Sequence, residues 1–428
     1  MSAHPASMNQ RLVSLLERYR GAIGSLNVIS SFHLHGPLDL AALEVALTRT
    51  GDRHEALRTT LRGAGARLEQ VVHPARPVAP LVERVRAGRD AAARVLAERC
   101  LAPVDLRAEW PLRCHVASFG RDDHLLALMV HHAATDGWSQ AVVVEDLAAF
   151  YTAAVTDTEP ELPPAGWQYR DFSAWQAELL GSERGRASRE FWRDELAGAP
   201  PLELFDDGWT GSTDDAESER VEFALPAEVG AGLRAWGRAN RATPFTAFMA
   251  AVAALLHEHT GQRDLVVPTM MANRLRRESQ RTVGFLANLV PVRLRLGPAP
   301  DFGDLVSEAK ARLRTAIRHQ ELPPQLLAPT ATRGSDAPVT LVFQLLDIPA
   351  AAPSLPGVEA TSCELPQRYG SRFDLELETW PDGGGSFGGF ALFSHRRFTR
   401  RWAESLVADL VDQATRAAVP AAGVGSAS

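Results

Sequence analysis

The chain has 428 residues, 45% hydrophobic and 23% charged, a balance that excludes a fibre or a disordered chain and gives enough length for two domains with their own cores. A formal net charge of -7 argues against a nucleic-acid binder, which needs a basic face. Cys100, Cys114 and Cys363 are scattered without CxxC pairing, so neither a disulfide framework nor a zinc site is indicated. Met1 to Gln10 lacks the pattern of a secretory leader, and no run approaches the roughly 18 apolar residues of a membrane span. The expectation is a cytoplasmic protein that does not engage a membrane.

Leu12, Leu15 and Leu16 mark one face of a helix over Gln10 to Tyr19. Phe32 and Leu34 form a strand that leaves through His35-Gly36-Pro37, and Asp39 caps a helix carrying Leu43, Ala46 and Leu47. Val71 to Val78 and Leu112 to Phe119 have strand patterns. Leu125 to Val130 is a continuous apolar run, read as a buried strand, although periodicity alone does not separate it from a buried helix. Ser139 is placed to cap a helix that carries Val142, Val143, Leu147 and Tyr151.

Pro, Gly and acidic residues gather in Thr156 to Gly166, Ala197 to Pro201 and Asp206 to Glu217. The boundary between domains is accordingly expected near residue 178, giving 1–177 and 178–428. Beyond it, strands are read at Val221 to Leu225, Leu265 to Pro268, Val290 to Leu296, Val339 to Leu345, Asp374 to Thr379 and Gly388 to Phe393. Helices are read at Ala227 to Ala239, Phe245 to Leu256 behind Thr243-Pro244, Phe302 to His319 and Arg401 to Ala417. Strands and helices alternate, so the fold class is mixed α/β in layers. The triple glycine at 383 to 385 is a turn, since it lacks the Lys and Ser/Thr of a phosphate loop. Arginine clusters at 274 to 277 and 396 to 401 read first as solvated surface, though a local basic patch can meet an acidic partner.

Chemistry concentrates in His131-His132-Ala133-Ala134-Thr135-Asp136-Gly137-Trp138-Ser139, between a buried strand and a helix start. A neutral imidazole can take a proton from an amine or hydroxyl as it attacks a carbonyl, and His132 is assigned that task. Asp136 is better suited to an ion pair that shapes the loop. Gly137 permits positive φ or a close backbone approach. Paired histidines also bind metals or fill cores, but HExxH spacing and a nearby Cys or Glu set are missing, so no metal is assigned. The candidate catalytic set is His132, His131, Asp136 and Gly137.

This segment matches the HHxxxDG signature of condensation domains of nonribosomal peptide synthetases. Further motifs of that family recur in order. Asp52 to Thr59 resembles RHExLRT, Tyr169 to Trp175 YxDFAxW, Val283 to Arg293 VGxFVNTxxxR, and His319 to Pro323 HQDxPFE. Departures lie at Met8 to Leu12, which only partly matches an SxAQxR-type element, at Pro324 in place of a Phe, and at Ser335 to Val339, a degraded RNPL-type element.

The resemblance implies two lobes like chloramphenicol acetyltransferase in a V, forming a pseudo-dimer, with the active loop in the N-terminal lobe. It implies direct transfer of an acyl group from the phosphopantetheine arm of an acyl- or peptidyl-carrier protein to an amine or alcohol acceptor, free or carrier-bound, without a bound cofactor or an acyl-enzyme. A monomer is the default expectation. Carried over residue by residue, Arg293 is the expected partner of Asp136, and Arg58 with His54 braces the first lobe. Trp138, Ser139 and Asn288 line the substrate tunnel, and Tyr169 and Trp175 pack. The rival readings are a coenzyme-A-dependent acyltransferase, an epimerisation relative, and a silent platform that recruits a partner protein.

Overall fold

The computed structural model describes residues 1–17, 26–84, 88–206, 208, 218–327, 339–346, 352–366, 370, 373–382 and 384–418. Several sequence expectations lie outside the described residues: Tyr19 at the end of the first helix, most of the 206–217 tract, Ser335 to Pro338, and Gly383 of the glycine turn.

Local codes account for most elements. Strand β1 (Ser2–Pro5) leads into helix α1 (Met8–Leu16), which starts at a reciprocal capping box between Ser7 and Gln10. After β2 (Asn27–His35), Asp39 accepts from the backbone N–H groups of Ala41 and Ala42 and opens α2 (Leu40–Arg53). A short 3-10 turn at Glu55–Arg58 precedes the small strands β3 (Thr59–Arg62), β4 (Glu69–Val72) and β5 (Leu81–Arg84). Helix α3 (Arg89–Leu101) is not apparent in the sequence, because its buried residues are the small Ala92, Ala97 and Cys100 with Leu96 as the one large apolar side chain. Strands β6 (Leu112–Ser118) and β7 (Asp123–His131) lead to helices α4 (Gly137–Thr156) and α5 (Tyr169–Gly181).

Helix α6 (Glu183–Leu196) carries charges on most of its surface, which hid it from a hydrophobic reading. It is followed by β8 (Ser218–Leu225), α7 (Ala227–Ala239), α8 (Pro244–Thr260), β9 (Asp264–Met271), β10 (Asn288–Arg295) and α9 (Phe302–His319). Thr243 caps α8, with Pro244 at its first position, and Asp301 forms a capping box with Asp304 at the start of α9. The chain ends in β11 (Leu341–Leu345), β12 (Glu359–Cys363), β13 (Leu375–Pro381), β14 (Phe387–Ser394) and α10 (Arg400–Ala418).

These elements fall into two compact units. The described residues of Met1–Ser182, Ala272–Ala287 and Ile348–Gln367 form the first, and those of Glu183–Met271, Asn288–Asp347 and Arg368–Ser428 the second. Two segments beyond residue 178 therefore fold with the N-terminal unit.

In the first unit a five-stranded sheet has the order β12-β2-β7-β6-β5, antiparallel except for the parallel β5/β6 pair. Its central strand β7 is buried from Leu125 to Val130, as expected of a strand shielded on both faces. Helix α3 packs on β2, β6 and β7, while α2 and α4 pack together. A separate three-stranded antiparallel sheet runs β1-β4-β3. In the second unit a six-stranded sheet has the order β10-β9-β11-β13-β14-β8, with β11 parallel to both β9 and β13. Helix α8, buried from Thr246 to Ala253, packs on β9 and β11 and supplies the core of that unit. Among the described residues, no helix is long and apolar enough to cross a membrane.

Candidate functional site

The site begins where the central strand of the first unit stops. Pairing of β7 with β2 runs to His131 opposite Asn27, and the His132 N–H still donates to the Leu26 carbonyl at 2.8 Å. The chain then turns, with Ala134 N–H donating to the His131 carbonyl at 2.8 Å, and enters α4 at Gly137. The two histidines differ in their partners. His131, which is buried, accepts the Ala133 N–H on Nδ1 at 3.1 Å and so donates from Nε2 to Glu17 Oε1 at 3.0 Å. His132, half-buried, lies with Nδ1 2.9 Å from the Thr135 carbonyl oxygen, which can only accept. In the neutral ring the proton therefore sits on Nδ1 and the lone pair on Nε2. The ring of Phe285 packs against this imidazole, with centroids 4.4 Å apart and a 42° tilt.

Asp136 is the hub of the loop. It is the N-cap of α4, its Oδ1 accepting from Ser139 N–H at 2.8 Å. Ser139, expected as the cap, is instead the third helical residue; the carboxylate three residues earlier takes the backbone donor, which leaves the Ser139 hydroxyl for another task. Arg274 donates from one Nη2 to Asp136 Oδ1 at 3.0 Å, Oδ2 at 3.2 Å and Ser139 Oγ at 2.7 Å. Asp136 Oδ2 also accepts the N–H groups of Leu286 at 2.9 Å and Ala287 at 3.1 Å. Burial pushes the Asp136 carboxyl up, but the Arg274 guanidinium and the hydrogen bonds from Ser139 and Leu286 outweigh it and hold it below the ordinary value.

The strap Ala272–Ala287 is thereby bound to the loop. Arg274 Nη1 donates to the Ser279 and Thr282 carbonyls at 2.7 Å each. Ser139 Oγ donates to the Gly284 carbonyl at 2.8 Å and accepts its N–H at 3.1 Å. Tyr169 Oη donates to the Phe285 carbonyl at 2.9 Å, and Asn9 Nδ2 to those of Phe285 and Ala287 at 2.9 Å each. Gly284 lies so close to Tyr169 that a Cβ there would stand 2.4 Å from the ring, which explains the glycine.

The expected ion pair to Asp136 needs correcting. Arg293, on β10 in the second unit, forms a two-pronged pair with Asp264, Nε to Oδ1 at 2.7 Å and Nη2 to Oδ2 at 2.6 Å. Its Nη1 caps the end of α6 through the Glu195 and Ala197 carbonyls, at 2.7 and 2.8 Å. The cation on Asp136 is Arg274, which the sequence had placed on the solvated surface and which is buried. Its signal in the sequence is its place three residues after the end of β9, at the head of the cluster 274 to 277.

The other expected residues fall as follows. Gly137 has no positive φ, and a Cβ there would meet nothing within 4 Å, so neither backbone strain nor packing demands glycine. Trp138 is 37% exposed and donates from Nε1 to the Gln280 carbonyl at 2.7 Å. Arg58 stays in the first unit, bound to the carbonyls of Gly51 at 3.2 Å and His73. His54 donates to Asp146, a buried carboxylate that also takes Arg53 and Arg281. Asn288 is buried in the second unit, where its Nδ2 donates to the Gln320 carbonyl at 2.8 Å. Among the described residues, no three His, Cys, Asp or Glu side chains gather as metal ligands.

The model of the family described as Condensation domain matches residues 3–413. The chain belongs to that family. Among its relatives, the phosphinothricin tripeptide synthetase PhsC of Streptomyces viridochromogenes is 36% identical over 329 residues, covering 74% of this chain and 30% of that protein. The cyclosporin synthetase simA of Tolypocladium inflatum is 30% identical over 362 residues, 82% of this chain and 2% of the relative. The chain thus spans only a minor part of these synthetases. Two solved structures, each 27% identical, superpose over 97% of this chain: the X-domain from teicoplanin biosynthesis, with a TM-score of 0.82 over 94% of its own length, and SgcC5 from Streptomyces globisporus, with 0.80 over 98%. The mixed α/β expectation and the family resemblance both hold. This is a condensation domain of the kind found in nonribosomal peptide synthetases, and its loop carries the His-His and Asp-Gly pairs of the signature motif intact.

Proposed function

We propose that this condensation domain joins a carrier-bound acyl thioester to an amine or alcohol, with His132 as the base that readies the nucleophile. The observation that carries the reading is the Nδ1–H bond of His132 to the Thr135 carbonyl, which leaves the basic nitrogen as Nε2. The acceptor nitrogen or oxygen attacks the thioester carbon, passing its proton to Nε2. The tetrahedral intermediate then breaks its C–S bond, and the phosphopantetheine sulfur leaves and regains a proton as the thiol. Amide or ester forms directly, with no acyl-enzyme. Holding both reactants in place supplies much of the rate, and general-base help adds roughly 10²- to 10⁴-fold. Asp136 and Arg274 shape the loop, His131 stays bound to Glu17, and the open space at Gly137 suits a slender substrate arm. Trp138 belongs to the substrate path in this reading, and Ser139 holds the strap beside it. The donor arrives on an acyl- or peptidyl-carrier protein, the chain itself holds no cofactor, and it works in the cytoplasm as a monomer.

A second reading is supported by the likeness to the X-domain from teicoplanin biosynthesis, a protein solved also in complex with OxyB: a platform that recruits a partner protein. Intact-mass spectrometry decides between them. A panel of acyl-loaded carrier proteins is offered with amine and alcohol acceptors to wild type and to His132→Ala. Product from wild type that falls at least 100-fold in the variant supports the enzyme. No transfer across the panel, with coenzyme A thioesters also inert, supports the platform.

A further inference from the structure

We propose that Phe285 is a positioning residue, its ring serving as the wall that holds the His132 imidazole in the single orientation that presents Nε2. The inference rests on the reading of His132 as the base and adds a residue the signature motif does not contain. In the VGxFVNT-type pattern that Val283 to Leu289 resembles, residue 285 is the unspecified position, and the phenylalanine of the pattern falls at Leu286.

A hydrogen bond at one ring atom does not by itself set the tilt of an imidazole. The contact from Nδ1 to the Thr135 carbonyl holds that atom, and the faces of the ring are set by what packs on them. The Phe285 ring, 4.4 Å away and 3% exposed, packs on one of them. Phe285 cannot easily withdraw. Its carbonyl accepts from Tyr169 Oη and Asn9 Nδ2, the Gly284 peptide before it is held by Ser139 Oγ, and the N–H groups of Leu286 and Ala287 after it are held by Asp136 Oδ2. Asp136 therefore acts on two contacts of His132: it caps the helix that ends the Thr135 turn, and it pins the strap that carries Phe285. Misplacement of a reacting group by about 1 Å can cost on the order of 100-fold in rate.

The test compares wild type with Phe285→Ala and Phe285→Leu in two measurements. Imidazole nitrogen–proton correlation spectra, with the His132 signals assigned by their loss in His132→Ala, report ring order without any substrate. Steady-state kinetics with the donor carrier saturating separate kcat from the acceptor KM. Phe285→Ala is expected to broaden or shift the His132 signals, to lower kcat at least tenfold and to leave the acceptor KM within about twofold. Unchanged spectra and unchanged kcat overturn the proposal. If the alanine variant does not fold, Phe285→Leu, which keeps apolar volume without a flat face, decides: altered His132 signals with kcat at least threefold lower support it, and wild-type behaviour in both overturns it. If wild type gives no product with any donor, the enzyme reading falls, while the spectra still decide whether Phe285 orders His132.

Discussion

Replacing Arg274, a residue 7% exposed, by methionine removes the guanidinium and leaves the carboxylate of Asp136, a residue 3% exposed, with the donors of Ser139, Leu286 and Ala287 but without its cation. Three donations to Asp136 and Ser139 disappear, together with those to the Ser279 and Thr282 carbonyls. Breaking one side of a buried pair costs about 3–5 kcal/mol, because the remaining charge stays buried without compensation. For a unit of this size each kcal/mol moves the midpoint by about 2–4 °C, so the transition of the first unit should fall by about 10 °C. The assay is thermal and urea unfolding with probes in each unit, since two units need not unfold in one step.

A double-mutant cycle with Asp136→Asn isolates the pair. Residues in one network should show a coupling of about 1–3 kcal/mol, whereas independent sites add within about 0.5 kcal/mol. The Asp136 carboxyl is held below its ordinary value, so its contribution is complete above the unfolded-state value and is lost as the pH falls through the depressed folded-state value. The gap between wild type and Arg274→Met should therefore narrow in acid. An additive cycle, or a loss under about 1 kcal/mol at pH 7, refutes the assignment of Arg274 as the cation of the loop.

Gly284→Ala puts a methyl 2.4 Å from the Tyr169 ring and should destabilise the first unit by about 1–3 kcal/mol while displacing the strap; an unfolding midpoint equal to wild type would show that the strap tolerates the shift. Burial pushes the His54 imidazole below its ordinary value against the pull of Asp146, with Arg53 and Arg281 adding to the downward push. Its contribution is complete above about pH 6.5 and is lost as the pH falls through the lower folded-state value. His54→Gln should flatten the stability profile below about pH 6.5, and a slope identical to wild type would assign the dependence to other groups.

Much of the fold could be read from residues alone, because caps and periodicity act within a turn or two. Asp39, Thr243-Pro244 and the amphipathic run Phe302 to His319 all lie where expected. Helices α3 and α6 escaped because alanines and surface charges carry little periodic signal. Strand β12, with a largely exposed pattern, gains its place by pairing with β2 across more than 300 residues of chain, which no local code announces.

The loop shows where the division lies. That a histidine pair closes a buried strand, that an acid follows and that a helix starts beside it can all be read along the chain, since those are neighbours in sequence. Folding in three dimensions makes Asp136 rather than Ser139 the cap of that helix, sets Phe285 against His132, and brings the cation from Arg274, 138 residues away, while Arg293 serves Asp264. A buried carboxylate must be met by a cation, but which one is chosen by the path of the folded chain, and spacing along the sequence does not record that path.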